Sequence, residues 1–246
     1  MQHRSKKIKK SFFIILVVLI VLSGGSAIYL GNYYHSVDVE KYMNGSSEVS
    51  VEKFDKGWFF DGAGEEKALI FYPGAKVATE AYAPLMYQLA ESGIDCFLVD
   101  MPFHMAFFGM NRAEEIMQEY NYEAWYLGGH SLGGAMAANF AADYVEDHTD
   151  GIRGLLLLAA YPTKDLSTSD MSVVTVYGSE DGVLNMDKIV AGRELMPQDY
   201  KEVCIEGGNH AQFGSYGTQK GDGTAAIPAA EQWARTVEVF VGDESE

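Results

Sequence analysis

The sequence predicts an α/β domain in which a mostly parallel sheet is covered by helices on both faces. From about residue 49 onward, strand-like and helix-like segments alternate along the chain, which is the order expected of parallel strands joined by crossover helices. Residues 68–72 form an uninterrupted apolar run, as a strand buried on both faces should. The length of 246 residues is that of one such domain.

The individual elements follow from apolar runs, turn residues and helix-start signals. Two short strands at the start are interpreted as an antiparallel pair, because Asp55-Lys56-Gly57 forms a turn between them. A later helix is expected to become regular near Ala83, since Pro84 is suited to the first helical turn. Another begins at Asn111, a capping residue type followed by an acid three positions later. The predicted strands are residues 49–51, 58–60, 68–72, 95–101, 125–127, 152–160, 173–177 and 200–205, and the remaining predicted helices are residues 132–145, 186–196 and 229–241.

The amino-terminal segment has the composition of a membrane anchor. Residues 12–30 contain no charged residue, and about 20 apolar residues suffice for a helix to cross the hydrocarbon core. Five basic residues lie within the first ten positions and no acid occurs before Asp38, so residues 1–11 are predicted to be a cytoplasmic tail. The competing interpretation is a cleavable signal peptide, with Gly25-Ser26-Ala27 as the cleavage site. The protein is thus predicted to be a single-pass membrane protein with an extracytoplasmic domain, or a secreted protein if the segment is cleaved.

Residues 31–48 are polar and include Asn44-Gly45-Ser46-Ser47, which predicts a tether. The catalytic domain is then predicted to span residues 49–246.

Charge and cysteine content exclude several classes of function. The net charge is −17, and a surface this acidic repels phosphate backbones, so we expect no nucleic-acid partner. The two cysteines, Cys96 and Cys204, lie in apolar strand-like stretches and are predicted to be buried thiols. No Cys or His spacing is typical of a metal site, so no metal or cofactor is expected.

Ser131 is the predicted catalytic nucleophile. It lies in Gly129-His130-Ser131-Leu132-Gly133, where a predicted strand runs directly into a predicted helix. A strained turn at such a junction projects the serine hydroxyl above the sheet, and the flanking positions are glycine because side chains there would collide with the neighbouring elements.

A serine hydroxyl needs an adjacent base, and the base needs an acid. Of the six histidines, His210 follows the last strand in a glycine-rich loop, at the strand end where sites form in open parallel sheets. Asp181 follows the preceding strand and is the predicted acid, with Glu180 as the alternative. The resulting order is Ser131, Asp181, His210.

An oxyanion hole requires two backbone N–H groups aimed at the developing negative charge. The Leu132 N–H follows the nucleophile at a helix start, where N–H groups are unpaired. The second donor is expected in the turn Tyr72-Pro73-Gly74-Ala75-Lys76. Ala75 is the predicted donor and Lys76 the alternative.

Several segments of the chain together resemble the α/β-hydrolase superfamily, and more narrowly the bacterial group called α/β-hydrolase family 5. They are residues 71–77 (FYPGAKV), 101–106 (MPFHMA), 129–134 (GHSLGG), 177–182 (YGSEDG), 207–214 (GGNHAQFG) and 217–225 (GTQKGDGTA). The resemblance covers residues from roughly 66 to 240 and implies the α/β-hydrolase fold, the triad and a hydrolase activity, but no substrate. Proteins similar to dienelactone hydrolase usually have Cys at the nucleophile position, and dehalogenases and epoxide hydrolases have Asp, so Ser131 argues against those three chemistries.

Only about a dozen residues separate the predicted strands 152–160 and 173–177, which leaves no room for the lid domain that many family members insert there. An open, shallow site is therefore predicted. Its walls are expected to come from the loops at residues 104–110 and 213–224, and the first of these is rich in Met and Phe. The predicted pocket residues are Lys76, His104, Met105, Gln212 and Phe213.

The leading hypothesis is a carboxylesterase-like serine hydrolase that cleaves a small-molecule carboxylic ester or related acyl bond. Acyl transfer to a lipid or cell-wall acceptor is a second hypothesis. A third is a non-catalytic binding module, although such proteins usually lack a triad residue.

Overall fold

Among residues 31–148 and 151–243, which the computed structural model describes, eight strands form one sheet in the order β1-β2-β4-β3-β5-β6-β7-β8. The pairs β1–β2 and β2–β4 are antiparallel, and every other neighbouring pair is parallel. The strands are β1 Ser50–Phe54, β2 Gly57–Asp61, β3 Lys67–Tyr72, β4 Asp95–Val99, β5 Ala124–His130, β6 Ile152–Leu158, β7 Ser172–Gly178 and β8 Tyr200–Ile205.

Six α-helices in the described residues connect or cover these strands. They are α1 Glu40–Met43, α2 Ala83–Glu91, α3 Arg112–Glu119, α4 Leu132–Asp147, α5 Met186–Gly192 and α6 Ala229–Asp243. The predicted α/β class, the mostly parallel sheet and the antiparallel pair at its edge are therefore confirmed.

The core has two layers because successive side chains of a strand point to opposite faces of the sheet. In β3, Leu69 and Phe71 pack on the face that α2 and α6 cover, whereas Ile70 and Tyr72 pack on the face that α3 and α4 cover. These four side chains have no exposed surface, and burial of each apolar one stabilises the fold by about 1.5–3 kcal/mol.

The carboxyl ends of the parallel strands lie along one edge of the sheet. The connections that follow β3, β5, β7 and β8 at this edge contain the predicted site residues. β3 is flanked by β4 on one side and by β5 on the other, so the chain order reverses at β3. Sites in open α/β sheets form outside the carboxyl ends of the strands at such a reversal. Residues 159–171, which the structure describes in full, contain no helix or strand, so the β6–β7 connection carries no lid domain.

Two local predictions differ from the structure. Cys96 is buried, but Cys204 is exposed, because β8 is the last strand in the sheet order and its side chains are flanked by those of a neighbouring strand on one side only. Asn111 is the residue before α3, yet its side chain accepts no capping hydrogen bond.

The predicted tether includes residues that pack on the domain. The Tyr34 N–H donates to the Lys76 carbonyl at 2.7 Å, and the Val37 N–H donates to the Ser215 carbonyl at 2.8 Å. Val39 is buried in the core beside α2. Ordered packing therefore begins well before residue 49, because backbone pairing with the 76–78 segment and apolar burial hold this stretch.

No helix within the described residues is both long and apolar enough to cross a membrane. The predicted tail at residues 1–11 and the predicted anchor at residues 12–30 lie outside the described residues, and both stay predictions.

Candidate active site

Ser131 lies at the junction of β5 and α4 in a strained backbone conformation, with φ 53° and ψ −121°. Few non-glycine residues adopt a positive φ, and those that do are often found at functional sites. A Cβ atom added at Gly133 would overlap the carbonyl oxygens of Tyr72 and Pro73, so the turn is packed directly against the end of β3. The Ser131 N–H donates to the Leu158 carbonyl at 2.8 Å, which fixes the turn to β6 as well.

His210 and Asp181 form a buried pair at the ends of β8 and β7. His210 Nδ1 lies 2.8 Å from Asp181 Oδ2, and each side chain is only 2% exposed. The other oxygen, Asp181 Oδ1, accepts the N–H groups of Val183 and Leu184, both at 2.8 Å. Because a carboxylate only accepts hydrogen bonds, His210 Nδ1 carries the hydrogen and Nε2 keeps its lone pair when the imidazole is neutral.

Glu180, the alternative acid, points elsewhere. Its side chain accepts a hydrogen bond from the Ser179 hydroxyl at 3.2 Å, and it is exposed. The structure therefore brings Asp181, and not Glu180, to His210.

The loops after β7 and β8 approach each other closely enough to require glycine. A Cβ atom added at Gly178 would overlap the backbone of Gly208. The Glu180 N–H donates to the Gly208 carbonyl at 2.8 Å, and the Gly207 N–H donates to the Ser179 hydroxyl at 2.9 Å. These contacts bring together two loops that are distant in sequence.

Ser131 and His210 line one cavity of about 240 Å³. Its other walls come from α4 and from the connections that follow β6 and β7, and they are Leu132, Ala135, Ala159, Ala160, Tyr161, Val183, Leu184 and Asn185. Most of these side chains are apolar and several are small. In the described residues, Ser131 Oγ makes no hydrogen bond to His210, and such bonds are often long without substrate.

Hydrogen bonding separates the two alternatives, Ala75 and Lys76, for the second oxyanion donor. The Lys76 N–H donates to the His104 carbonyl at 2.7 Å, and the Gly74 N–H donates to the Tyr82 hydroxyl at 3.0 Å. Neither the Ala75 N–H nor the Leu132 N–H has an acceptor among the described residues. These two N–H groups are therefore the ones available to an oxyanion.

His130, the residue before Ser131, is buried between the two halves of the site. Its ring centroid lies 4.4 Å from that of His210, and its Nδ1 lies 2.7 Å from the Tyr82 hydroxyl. That hydroxyl already accepts the Gly74 N–H, so donation from Tyr82 to His130 Nδ1 leaves the fewest buried groups unpaired. Burial, and secondarily the proximity of His210, lowers the pKa of His130 well below its usual value. His130 is therefore a neutral imidazole. Through the Tyr82 hydroxyl, which also accepts the Gly74 N–H, it helps to fix the turn at residues 72–76 that carries the predicted second oxyanion donor.

The predicted pocket residues do not line the 240 Å³ cavity. Phe213 is fully buried, with its ring 5.7 Å from that of His130. Gln212 lines a separate cavity of about 620 Å³ on the far side of the His210 loop. Lys76 and His104 are joined through their backbones and both have a left-handed φ, 57° and 55°. Met105 belongs to the same loop, whose aromatic side chains Phe103, Phe107 and Phe108 are exposed.

Sequence reasoning missed two polar residues that hold the His210 loop. Gln232, on α6, is fully buried. Its Oε1 accepts the Asn209 N–H at 3.0 Å, and its Nε2 donates to the Asn209 carbonyl at 2.8 Å. The second residue is Asp222, which accepts the His210 N–H at 3.2 Å. A glutamine on the buried face of an otherwise amphipathic helix was the one signal available in the sequence.

In the part of the chain that the structure describes, no group of three or more His, Cys, Asp or Glu side chains is arranged to hold a metal ion.

Comparison with known proteins identifies the family. A model described as "Alpha/beta hydrolase family" matches residues 68–234. No match was found among curated protein sequences. Among solved structures, carboxyl esterase 2 from the mycorrhizal fungus Tuber melanosporum is 12% identical, with a TM-score of 0.60 over 85% of this chain and 89% of that chain. The monoacylglycerol lipase of Paleococcus ferrophilus is 14% identical, with a TM-score of 0.57 over 80% of this chain and 99% of that chain. At such identities the likeness shows the fold.

Proposed function

We propose that this chain, which belongs to the alpha/beta hydrolase family, is a serine hydrolase that cleaves carboxylic esters or related acyl bonds through an acyl-enzyme. The observation that carries the proposal is the buried pair of His210 and Asp181, 2.8 Å apart, in which His210 lines the same cavity as Ser131. A strained serine beside a histidine held in one tautomer is the arrangement that activates a hydroxyl as a nucleophile.

The geometry supports the following sequence of steps. Ser131 Oγ attacks the carbonyl carbon while His210 Nε2 takes its proton, and Asp181 stabilises the resulting imidazolium. The Leu132 and Ala75 N–H groups donate to the oxyanion. His210 then donates the proton to the leaving alcohol. A water molecule, deprotonated by His210, hydrolyses the acyl-enzyme and restores Ser131.

The cavity also supports a size range for the substrate. About 240 Å³ is below the roughly 300–1,000 Å³ of pockets that enclose drug-sized ligands, and its walls are mainly apolar. A short acyl chain fits such a space, and a longer one would extend into solvent. The solved structures named above are an esterase and a lipase, and these names are the reason for placing esters first among the acyl bonds.

The decisive test is covalent labelling of the full chain with a fluorophosphonate probe. We expect wild type to be labelled and Ser131→Ala to lose labelling, together with at least about 10³-fold of the esterase kcat. The matched control is Ser92→Ala, an exposed serine whose hydroxyl only donates to the Gln88 carbonyl, and it should label like wild type. Labelling that survives in Ser131→Ala would contradict the proposal.

A panel of p-nitrophenyl esters with increasing acyl length tests the substrate range. We expect kcat/KM to be highest for short chains, because only these fit within the apolar cavity. A long-chain optimum would show that the acyl group binds elsewhere.

A further inference from the structure

Asp222 lies in the connection between the His210 loop and α6, and its carboxylate bonds to both loops that carry the acid and the base. Oδ1 accepts the Gly182 N–H of the acid loop at 3.1 Å and the His210 N–H at 3.2 Å. Oδ2 accepts the Ala211 N–H of the base loop at 2.8 Å. Oδ1 also accepts the N–H of the adjacent Gly223 at 2.8 Å. One carboxylate thus satisfies four backbone donors from three segments.

The backbone is closely packed around Asp222, which shows independently of the hydrogen bonds that these three segments contact each other. A Cβ atom added at Gly223 would overlap the Glu180 carbonyl oxygen, and one added at Gly182 would meet the Gly221 carbonyl oxygen at 2.5 Å. The segment that carries Asp222 therefore lies directly against the turn that carries Asp181.

The Asp222 carboxylate makes charge-assisted hydrogen bonds. They hold the backbone of the loops that carry Asp181 and His210, and Asp222 is not a residue of the substrate cavity. Hydrogen bonds from N–H donors to an ionised carboxylate are about twice as strong as neutral ones. Asp222 does not line the 240 Å³ cavity that Ser131 shares with His210. It lines a different cavity, of about 620 Å³, that includes neither Ser131 nor His210.

We propose that Asp222 is a positioning residue, which ties the acid loop to the base loop and so keeps Asp181 and His210 at hydrogen-bonding distance. Asp181 and His210 are 29 positions apart in the chain and lie on separate strand ends, so the alignment of their side chains depends on contacts between the loops. The catalytic consequence of this role rests on the proposed function, whereas the structural consequence does not.

The first test is spectroscopic and needs no turnover. In wild type, the His210 Nδ1–H bonded to Asp181 should give a low-field proton resonance. In Asp222→Asn the amide NH₂ must face one of the backbone N–H donors, whichever way it is turned, so the loops separate and the resonance should be lost or broadened. The control is Asp187→Asn, which removes an exposed acid near the start of α5 and should keep the resonance. An unchanged resonance in a folded Asp222→Asn variant overturns the proposal.

The second test separates positioning from substrate binding. We expect Asp222→Asn to lower kcat about 10- to 100-fold with KM changed by less than about twofold. If Asp222 acts through the pair, adding Asp222→Asn to Asp181→Asn should cause no further loss of kcat, which is the non-additivity that a double-mutant cycle measures. A rise in KM at unchanged kcat, or full additivity, overturns the proposal. Absence of any ester turnover in wild type would refute the proposed function, and the resonance would still decide the role of Asp222.

A measurement on wild type covers the case in which Asp222→Asn does not fold. The amides of Gly182 and Ala211 should exchange with solvent at least about tenfold more slowly than the exposed Gly217 amide, since each is held by a charge-assisted bond. Exchange of both at the Gly217 rate overturns the proposal.

Discussion

Two neighbouring parts of the candidate site are both closely packed, but only one of them is also held by hydrogen bonds to side-chain carboxylates. The nucleophile region, after β5 and β3, is fixed by close packing: the strained Ser131 turn leaves no space for a Cβ atom at Gly133. The acid–base region, after β7 and β8, is packed as closely at Gly178 and Gly223, and it is fixed in addition by hydrogen bonds from backbone N–H groups to the carboxylates of Asp181 and Asp222.

The difference matches what each part is proposed to do. A nucleophilic oxygen needs a fixed position, and packing provides that at the cost of backbone strain. A base gains and loses a proton during turnover, and nearby carboxylates stabilise its charged form. Both regions should be sensitive to added volume, because a Cβ atom at Gly178 or Gly223 would also overlap backbone atoms. Only the acid–base region should in addition be sensitive to altered charge and hydrogen-bonding capacity at constant volume.

Asp181→Asn is expected to have the largest effect and to act on catalysis alone. The Asn Oδ1 can still accept the Val183 and Leu184 N–H groups, which directs its NH₂ toward His210 Nδ1 and forces the opposite histidine tautomer. We expect kcat to fall by about 10⁴-fold with a near-wild-type unfolding midpoint, measured by ester hydrolysis and urea denaturation. Glu180→Gln, at the exposed neighbouring acid, is the control and should retain activity; equal losses in both variants would contradict the assignment.

Gly133→Ala should sharpen the comparison, because it is expected to damage fold and activity together. The added methyl group overlaps two carbonyl oxygens at the end of β3, so the turn at Ser131 between β5 and α4 must shift. Overpacking of this kind costs about 1–3 kcal/mol or more. The free energy of unfolding and the rate of fluorophosphonate labelling should both fall. At Gly242, in α6, an added Cβ meets no atom within 4 Å, and Ala is the better helix former, so Gly242→Ala should lower neither. A stable, fully labelled Gly133→Ala would show that packing does not fix the nucleophile region.

His130 contacts both regions and should make stability depend on pH. Because its pKa is lowered in the folded state, the unfolded chain binds a proton below about pH 6.5 that the folded chain does not. Its contribution to stability is therefore complete above pH 6.5 and is lost as pH falls from there toward the folded pKa, by at most about 1.4 kcal/mol per pH unit.

The measurement is the free energy of unfolding of wild type and His130→Asn between pH 8 and about pH 5.5. Asn retains an acceptor for the Tyr82 hydroxyl but does not titrate, so the variant should show a shallower decline below pH 6.5. Parallel curves for the two proteins would contradict a neutral, buried His130.

The sequence was sufficient for the fold class and for the order of nearly all strands and helices. Continuous apolar runs such as residues 68–72 predicted buried parallel strands because burial on both faces leaves no room for polar side chains. The positions of Ser131 and His210 at strand ends followed from the same pattern, because glycine-rich turns after strands are local signals.

Contacts between loops were beyond the reach of sequence patterns. Asp181 rather than Glu180 meets His210 because of how one turn is folded. Ala75 rather than Lys76 has an N–H without an acceptor among the described residues, because the His104 carbonyl accepts the Lys76 N–H. The cavity beside Ser131 is lined by the connections after β6 and β7, and not by the Met- and Phe-rich loop from which a wall was predicted.

The sequence by itself therefore determined the strand ends at which the candidate chemistry lies, with Ser131 and His210 assigned and two alternatives for the acid and for the second oxyanion donor. Strands, helices and glycine-rich turns are recognisable from local sequence patterns. Only the tertiary structure decided which of those groups meet and what holds them, including Asp222 between the loops of Asp181 and His210. A side chain can hydrogen-bond to the backbone of a distant loop only where the fold brings the two together. Such a contact produces no repeating pattern in the sequence from which it could be predicted.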